Sequence, residues 1–379
     1  MSHNKHEFSR REFLRKSAIA AVAAGVVPKG AVFAKDNQID PAKILNYNSE
    51  MRYRRLGNTD VYLSVISLGG LAISEPVHHY AIDHGVNLVH ISKSYKGGQS
   101  IKTLSKVMKS KRDRVYIAVK DNFDDIDEIL RLLHTDHIDF LMFNRHSRKK
   151  VTDPRIMERF EKYRQQGKVR YMGLTTHKHV KDCVQAGIES SQYQLIMPVL
   201  NQPSLQEMQN ELQKAHQKGV GIMAMKTMKG VKKQDMQIAY LKKVLQNPAV
   251  TTVNKGIDSF EYFDAFLKAT QETLSSHEEN MLYRYAEETR SGNCMMCGEC
   301  EQACPRDVEI STILRAKDYY YDQLQDTHEA LSAYNNISTD KLYEAACTSC
   351  LKCEQVCPNG INIVERLQAA RQTFSAIMA

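Results

Sequence analysis

Two cysteine runs near the end of the 379-residue chain dictate more about its fold than any other stretch. Cys294, Cys297, Cys300 and Cys304 precede Pro305, and Cys347, Cys350, Cys353 and Cys357 precede Pro358. Each run reads C-x2-C-x2-C-x3-C-P, the spacing that holds [4Fe–4S] cubanes. Two-residue gaps let one tight loop bring three sulfurs to a cluster, while the fourth cysteine, ahead of the proline, reaches the other cluster. The ligand sets are therefore crossed: Cys294, Cys297, Cys300 and Cys357 for one cluster, Cys347, Cys350, Cys353 and Cys304 for the second. Zinc has no use for the third cysteine of each close triplet, and disulfides do not call for a repeated spacing. Electron transfer through two [4Fe–4S] clusters is the expected chemistry.

The ninth cysteine, Cys183, stands alone and reads as a small buried apolar residue. The formal charge of +8 suggests a basic protein. Half of it belongs to residues 1–34, where Lys5, Arg10, Arg11, Arg15, Lys16 and Lys29 face only Glu7 and Glu12. Two oxidised cubanes, each about −2 with their thiolates, bring the remainder near zero. Nucleic acid is therefore not an expected partner.

Ser9-Arg10-Arg11-Glu12-Phe13-Leu14-Arg15-Lys16 is a twin-arginine signature, followed by an apolar stretch from Ala18 to Val27 and a small residue, Ala34, at the cleavage position. That stretch is well short of the roughly 20 residues a spanning helix needs, and no other stretch qualifies as a transmembrane span. The expectation is a signal peptide over 1–34 and a linker over 35–50. Export would then run through the twin-arginine translocon to the periplasm or the outer side of the cytoplasmic membrane. This route carries folded proteins, as a chain loaded with clusters beforehand requires.

Between residues 51 and 275, apolar runs alternate with helical periodicity. The runs at 65–71, 86–92, 115–119, 139–144, 169–176, 193–199, 221–226 and 251–256 read as strands. Stretches such as 125–133, 154–166, 205–218 and 235–246 carry apolar residues three to four apart. Eight β/α units in this length predict an α/β fold, a (β/α)8 TIM barrel. Residues 51–61 read as a hairpin closing its bottom, with Gly57-Asn58 at the turn. A small, mostly α-helical domain follows over 276–379, with helices at 310–323 and 326–334 between the cysteine runs. Tyr319-Tyr320-Tyr321 reads as packing between them.

Met51-Arg52-Tyr53-Arg54-Arg55-Leu56-Gly57-Asn58-Thr59 through Ser67-Leu68-Gly69-Gly70 resembles the opening of the aldo-keto reductases. Gly167-Lys168-Val169-Arg170-Tyr171-Met172-Gly173-Leu174 and Val220-Gly221-Ile222-Met223-Ala224-Met225-Lys226 resemble their later barrel strands. With its tail, the chain is similar to bacterial aldo-keto reductase-like proteins carrying a C-terminal two-[4Fe–4S] ferredoxin domain of the α-helical kind. The resemblance implies an Asp, Tyr, Lys and His tetrad, in which tyrosine protonates a carbonyl as NADPH delivers hydride. Tyr95 aligns with the acid and Lys120 with the lysine. His90 takes the aspartate position, and Asn144 the histidine position, with His146 two residues on. Loss of the aspartate removes the anion that supports the lysine.

NADPH itself is doubtful. Ala265-Phe266 stands where the family carries the Glu-Asn pair that holds adenine, although Thr175-Thr176 could replace the residues gripping the nicotinamide amide. Nor is free NADPH available outside the cytoplasmic membrane. The strand ends instead carry Lys93, Lys120, Arg145, His146, His177, Lys178, Lys226, Lys229 and Lys255, either a mouth for an anionic ligand or scattered solvated side chains. His78-His79 and His134/His137 fall on predicted helices and read as surface residues. Three functions fit these features. One is an exported iron–sulfur oxidoreductase acting on a small carbonyl or hydroxyl compound, with a redox partner protein in the envelope. The second is an electron-transfer subunit with a non-catalytic barrel, and the third an NADPH-dependent reductase.

Overall fold

Among the described residues, ten strands and the helices between them follow the alternation of the sequence. The computed structural model describes residues 39–379 apart from 72, 122–124, 344–346 and 348, with the side chains of 202 and 203 also left aside. The twin-arginine signature and the first residues of the linker lie outside the described residues. The strands are β1 (Tyr53–Arg55), β2 (Tyr62–Ser64), β3 (Ile66–Gly69), β4 (Leu88–Ile91), β5 (Tyr116–Asp121), β6 (Ile138–Asn144), β7 (Val169–Thr176), β8 (Leu195–Pro198), β9 (Gly221–Met225) and β10 (Val250–Lys255). From β3 onward they form a closed parallel barrel, sealed where Val253 of β10 pairs with Ile66 of β3. Parallel strands are covered on both faces, which is why β4, β5 and β9 are buried at every position and β9 reads as an unbroken apolar run.

β1 and β2 pair antiparallel below the barrel, so the hairpin extends past the expected residue 61 to Ser64. Its turn is closed by Thr59 N donating to Leu56 O at 3.0 Å. Gly57 has φ +49°, and a Cβ there would lie 1.9 Å from the Gly219 carbonyl oxygen. Only glycine fits this approach, and it pins the hairpin to the end of the helix Gln209–Lys218.

Around the barrel, helices begin at local caps. Asp153 accepts from Arg155 N ahead of Pro154–Gln165, and Ser275 forms a capping box with Glu278 ahead of Ser276–Thr289. The expected helix at 205–218 is two helices, Gln202–Glu207 and Gln209–Lys218. Asn201 caps the first early, through Ser204 N, and Met208 leaves helical geometry between them (φ −101°, ψ 13°).

The barrel and the cysteine-bearing region belong to one compact unit, Ile44–Ala379. The region beyond the barrel is helical, as expected, around Ile310, Ile313, Leu314, Leu367, Ala370 and Phe374. Tyr334 stacks on Phe374 with ring centroids 4.3 Å apart. The helix Ile310–Leu314 runs on into π-helical winding over Arg315–Gln323, followed by the helix Thr327–Asn335. Tyr321 packs towards Phe374. Tyr319 and Tyr320 pack with this core as expected and also reach the barrel, where they line its cavity. Wider π winding rotates successive side chains off the α-helical stripe and often marks functional positions. Among the described residues no helix is long and apolar enough to cross a membrane.

Candidate active site at the barrel mouth

A cavity of about 410 Å³ opens at the C-terminal ends of the strands, where barrel enzymes place their chemistry. Its floor comes from the barrel through His90, Tyr95, His177, Met197, Lys226 and Asn254. Its roof comes from the segment between the two cysteine runs, through Tyr319, Tyr320, Gln323 and Leu324. No local pattern announces that roof in the sequence, because it depends on docking one region onto the other.

Two of the four tetrad positions, His90 and Tyr95, line this floor, and Lys120 lies beside Tyr95. His90 lies in β4, Tyr95 on the turn Tyr95–Gly98 after it, and Lys120 in β5. The Lys120 Nζ is 5.6 Å from the Tyr95 ring centroid, and the His90 and Tyr95 rings are 6.0 Å apart. Asn144 closes β6 and pairs with Thr175 of β7. His146, beyond it, accepts from His177 N at 3.2 Å through Nδ1.

The electrostatics differ from those the resemblance implies. Burial and the Lys120 charge push His90 down to about 3, so its imidazole is neutral and cannot replace a carboxylate. Tyr95 is driven well above its ordinary value, chiefly by burial and then by Tyr320 and Glu329, with Arg315 pulling weakly the other way. It holds its proton rather than approaching ionisation. The carboxylate near this group comes from elsewhere: Glu329, buried beneath the roof, accepts from Lys96 N at 3.2 Å, and its charge acts on Lys120, Tyr95 and Lys226. Glu329 is the functional residue that sequence reasoning missed. Its place 25 residues past Cys304 carries no local signal.

The expected basic mouth is partly neutralised. Lys93 pairs with Glu128, and Lys178 with Glu301 and Glu309 at 2.7 and 2.8 Å. Burial drives His146 and His177 well below the usual imidazole range, so neither adds charge. Lys226, Lys229 and Lys255 do line the cavity, with Asp258 among them. His78, expected on the surface, is fully buried, with its Nδ1 3.0 Å from Ser74 O. His134 sits on a turn and His137 in the irregular stretch before β6, not on helices, bonded to Ser105 and to Arg112 and Asp136. Cys183 is buried as expected, and burial raises its thiol to about 11.

The thiols lie in two crossed neighbourhoods. Cys294, Cys297, Cys300 and Cys357 act on one another electrostatically. Cys304, Cys347, Cys350 and Cys353 line one small cavity together. None is in a disulfide. Backbone N–H groups of Met296, Ser349 and Ile361 point at Cys294, Cys347 and Cys357 sulfurs at 3.4 to 3.5 Å, the hydrogen bonding that steadies cluster thiolates. Eight thiols with such donors fit iron–sulfur ligation. The first set abuts the barrel: Asn201 Nδ2 donates to Cys294 O at 3.4 Å, and Lys229 stands beside the Cys294 thiol. A Cβ on Gly298 (φ +90°) would lie 2.2 Å from His179 Nδ1, so glycine permits this contact.

Glu301, next to Cys300 and 6% exposed at its side chain, is held by Lys178 at 2.7 Å, by His179 at 3.4 Å and by Ser311 N at 2.8 Å. Removing one partner of a buried pair leaves the other charge uncompensated. Lys178→Met is therefore expected to destabilise the docked region by about 3–5 kcal/mol, read as an earlier loss of iron–sulfur absorbance in urea. Adding Glu301→Gln should recover part of that loss, and an unchanged midpoint in Lys178→Met would refute the latch.

NADPH fits poorly. Phe266 is fully buried against Tyr262, and neither it nor Ala265 offers a side-chain donor or acceptor to adenine. Tyr319, Tyr320, Gln323 and Leu324 wall the cavity alongside Lys255 and Tyr262. Thr176 Oγ1 is already committed to Lys178 O at 3.0 Å.

Fold and site together define a TIM-barrel oxidoreductase roofed by an iron–sulfur domain. The model of the aldo/keto reductase family matches residues 74–286, and the chain belongs to that family. A 4Fe-4S dicluster domain matches residues 290–361. Among solved structures, the holo form of an aldo-keto reductase from Bacillus halodurans is 18% identical, with a TM-score of 0.51. That match covers 62% of this chain and 96% of the other. A putative aldo-keto reductase from Pseudomonas aeruginosa is 17% identical, with a TM-score of 0.50 over 58% of this chain and 94% of its own. At such identities the likeness speaks for the fold alone. No curated protein matches the chain.

Proposed function

We propose that the chain is an exported iron–sulfur oxidoreductase whose barrel cavity takes a small anionic carbonyl or hydroxyl compound. Its two [4Fe–4S] clusters, held by the crossed cysteine sets, exchange electrons with a redox protein of the cell envelope. One observation carries this reading: the cysteine-bearing region is also the roof of the cavity. Tyr319 and Tyr320 stand in the cavity wall, and Lys229 both lines the cavity and lies beside Cys294.

When bound, the clusters supply single electrons. Reducing a carbonyl to a hydroxyl takes two electrons and two protons, and the chain's residues handle charge and protons. Tyr95, kept protonated by burial, donates to the oxygen as negative charge grows there. Lys120 stabilises that charge, and Glu329 supplies the anion missing at position 90. Neutral His90 lines the pocket, and Asn144 closes the neighbouring strand β6. Lys229 and Lys255 favour a substrate bearing a carboxylate.

The test uses protein recovered from the periplasmic fraction, reduced viologen as electron donor and glyoxylate-type aldehydes as substrates. Tyr95→Phe and Lys120→Met are each expected to lower turnover by at least about 10²-fold. Full turnover in both variants would favour the second reading, a barrel that only docks the electron carrier. Neutral His90 in the carboxylate position is the observation behind that alternative. Absence of the protein from the periplasmic fraction would contradict export.

A further inference from the structure

Lys226 is the buried amine that the reduction above leaves without a chemical task. It directly follows β9, the seventh strand of the barrel ring, at the end where the cavity opens. Its backbone is left-handed at φ +55°, uncommon for a residue with a side chain and a kind of strain that clusters at functional sites. The side-chain stem lines the cavity, while the Nζ is buried and has no hydrogen-bond partner among the described residues. The amine instead rests over the Tyr319 ring, 3.5 Å from its centroid, with Tyr320 at 5.1 Å.

Arg315 reaches this amine from the roof, Lys229 from the same loop and Lys120 from β5, all cationic, and Glu329 is the one anion among them. Burial together with this cationic surround disfavours the ammonium and leaves Lys226 well below the ordinary lysine range. Desolvation and a neighbouring cation are the two devices that turn lysine into a nucleophile for carbonyls. An ammonium meant only to hold an anion gains nothing from three nearby cations competing for the same ligand.

We propose that Lys226 captures the carbonyl compound covalently, as an imine, in the cavity beneath Tyr319. This rests on the reading of the cavity as a carbonyl site. The Nζ turns from the Tyr319 face into the cavity, and its lone pair forms the N–C bond while the carbonyl π pair moves to oxygen. The resulting carbinolamine loses its hydroxyl group and the nitrogen proton as water, leaving C=N. One amine and one carbonyl give one imine and one water, with no change in oxidation state, so no oxidant or reductant is needed. His177 lines the same cavity with an unpartnered, neutral Nδ1 and carries the proton between nitrogen and the departing oxygen. The imine holds the ligand beside the cluster-bearing roof, and addition of water returns the free carbonyl, the form to which Tyr95 donates its proton, so capture precedes reduction.

The experiment is limited reductive methylation of the holo-protein with carbon-13 formaldehyde and cyanoborohydride near neutral pH, read by peptide mass spectrometry. Formaldehyde is the smallest carbonyl and trapping needs neither turnover nor an electron donor, so this outcome is independent of whether glyoxylate-type aldehydes are reduced. Lys226 is expected to be labelled at least about tenfold faster than the average surface lysine, because the desolvated free amine is the reactive form. Lys226→Met should abolish that fast label. Arg315→Met, which keeps the amine but removes the neighbouring cation, should slow it, and this variant keeps the test decisive if Lys226→Met fails to fold. Labelling of Lys226 no faster than the surface lysines, or a fast label that persists in Lys226→Met, would overturn the proposal.

Discussion

Iron removal is expected to undo the roof of the cavity while leaving the barrel intact. Hydrogen exchange should rise over 294–304, 347–357 and the segment Arg315–Gln323, and stay low in β3 to β10. The thiols show why. Burial raises Cys297 and Cys353 each to about 11, so without metal the two loops bury neutral thiols that gain nothing from their neighbours. Metal ligation supplies the missing free energy, on a scale of about 10 kcal/mol or more for structural sites, against about 5–15 kcal/mol for the stability of a whole domain. The helical core around Ile313, Leu314, Leu367 and Phe374 resists the loss. Its ties to the barrel, through Glu301, Glu309 and Glu329, hang on segments that the cysteine loops position. The loops should therefore open first and the roof should follow. Exchange that does not change in Arg315–Gln323 after chelation would mean that the roof is held by its own packing, independent of iron.

The barrel was legible because a parallel strand covered on both faces leaves an unbroken apolar run, and β5, β6 and β9 show one each. The cysteine neighbourhoods were legible from the spacing of the runs, since the last cysteine of each run lies beside the first three of the other. What escaped depends on contacts between distant segments. Tyr319, Tyr320 and Glu329 acquire their meaning only once the insert docks on the strand ends, and no periodicity encodes that docking. Pairing of Lys93 with Glu128 and of Lys178 with Glu301 likewise joins residues far apart in the chain, so a row of bases looked more charged than it is. His78 is a different case. It lies in the helix Glu75–Asp83 four residues before Ile82, beside Val77 and ahead of Ala81, all of them buried. Helical spacing alone placed it on the inward face, and that signal was available.

Those buried imidazoles give the protein a steep acid limit. His78 is held at about 4 and His90 at about 3, each first by desolvation, and desolvation likewise keeps His146 and His177 well below 6.5. In the unfolded chain all four bind a proton as the pH falls through 6.5, whereas the native protein does not. The unfolded state then carries more protons, so stability is fully present above 6.5 and declines as the pH drops from there towards the folded values. About one pH unit below 6.5, each histidine costs roughly 1.4 kcal/mol, or roughly 5–6 kcal/mol for the four. Glu329 works in the opposite sense, since burial raises its carboxyl and the native state takes up its proton earlier, but it is one group against four. Exposed carboxylates such as Asp153 and Glu161, both held at about 2 by neighbouring donors, titrate below this window. Urea unfolding of the iron-loaded protein, followed from neutral pH down to about one unit below the histidine range, should show the midpoint falling with a slope of several protons. His78→Asn keeps a donor for the Ser74 carbonyl and removes one titrating group, so its slope should be shallower by about one proton. A midpoint that stays flat across that range would show that the four imidazoles are solvated enough to ionise in place, and the neutral, desolvated floor assigned to the cavity would have to be abandoned.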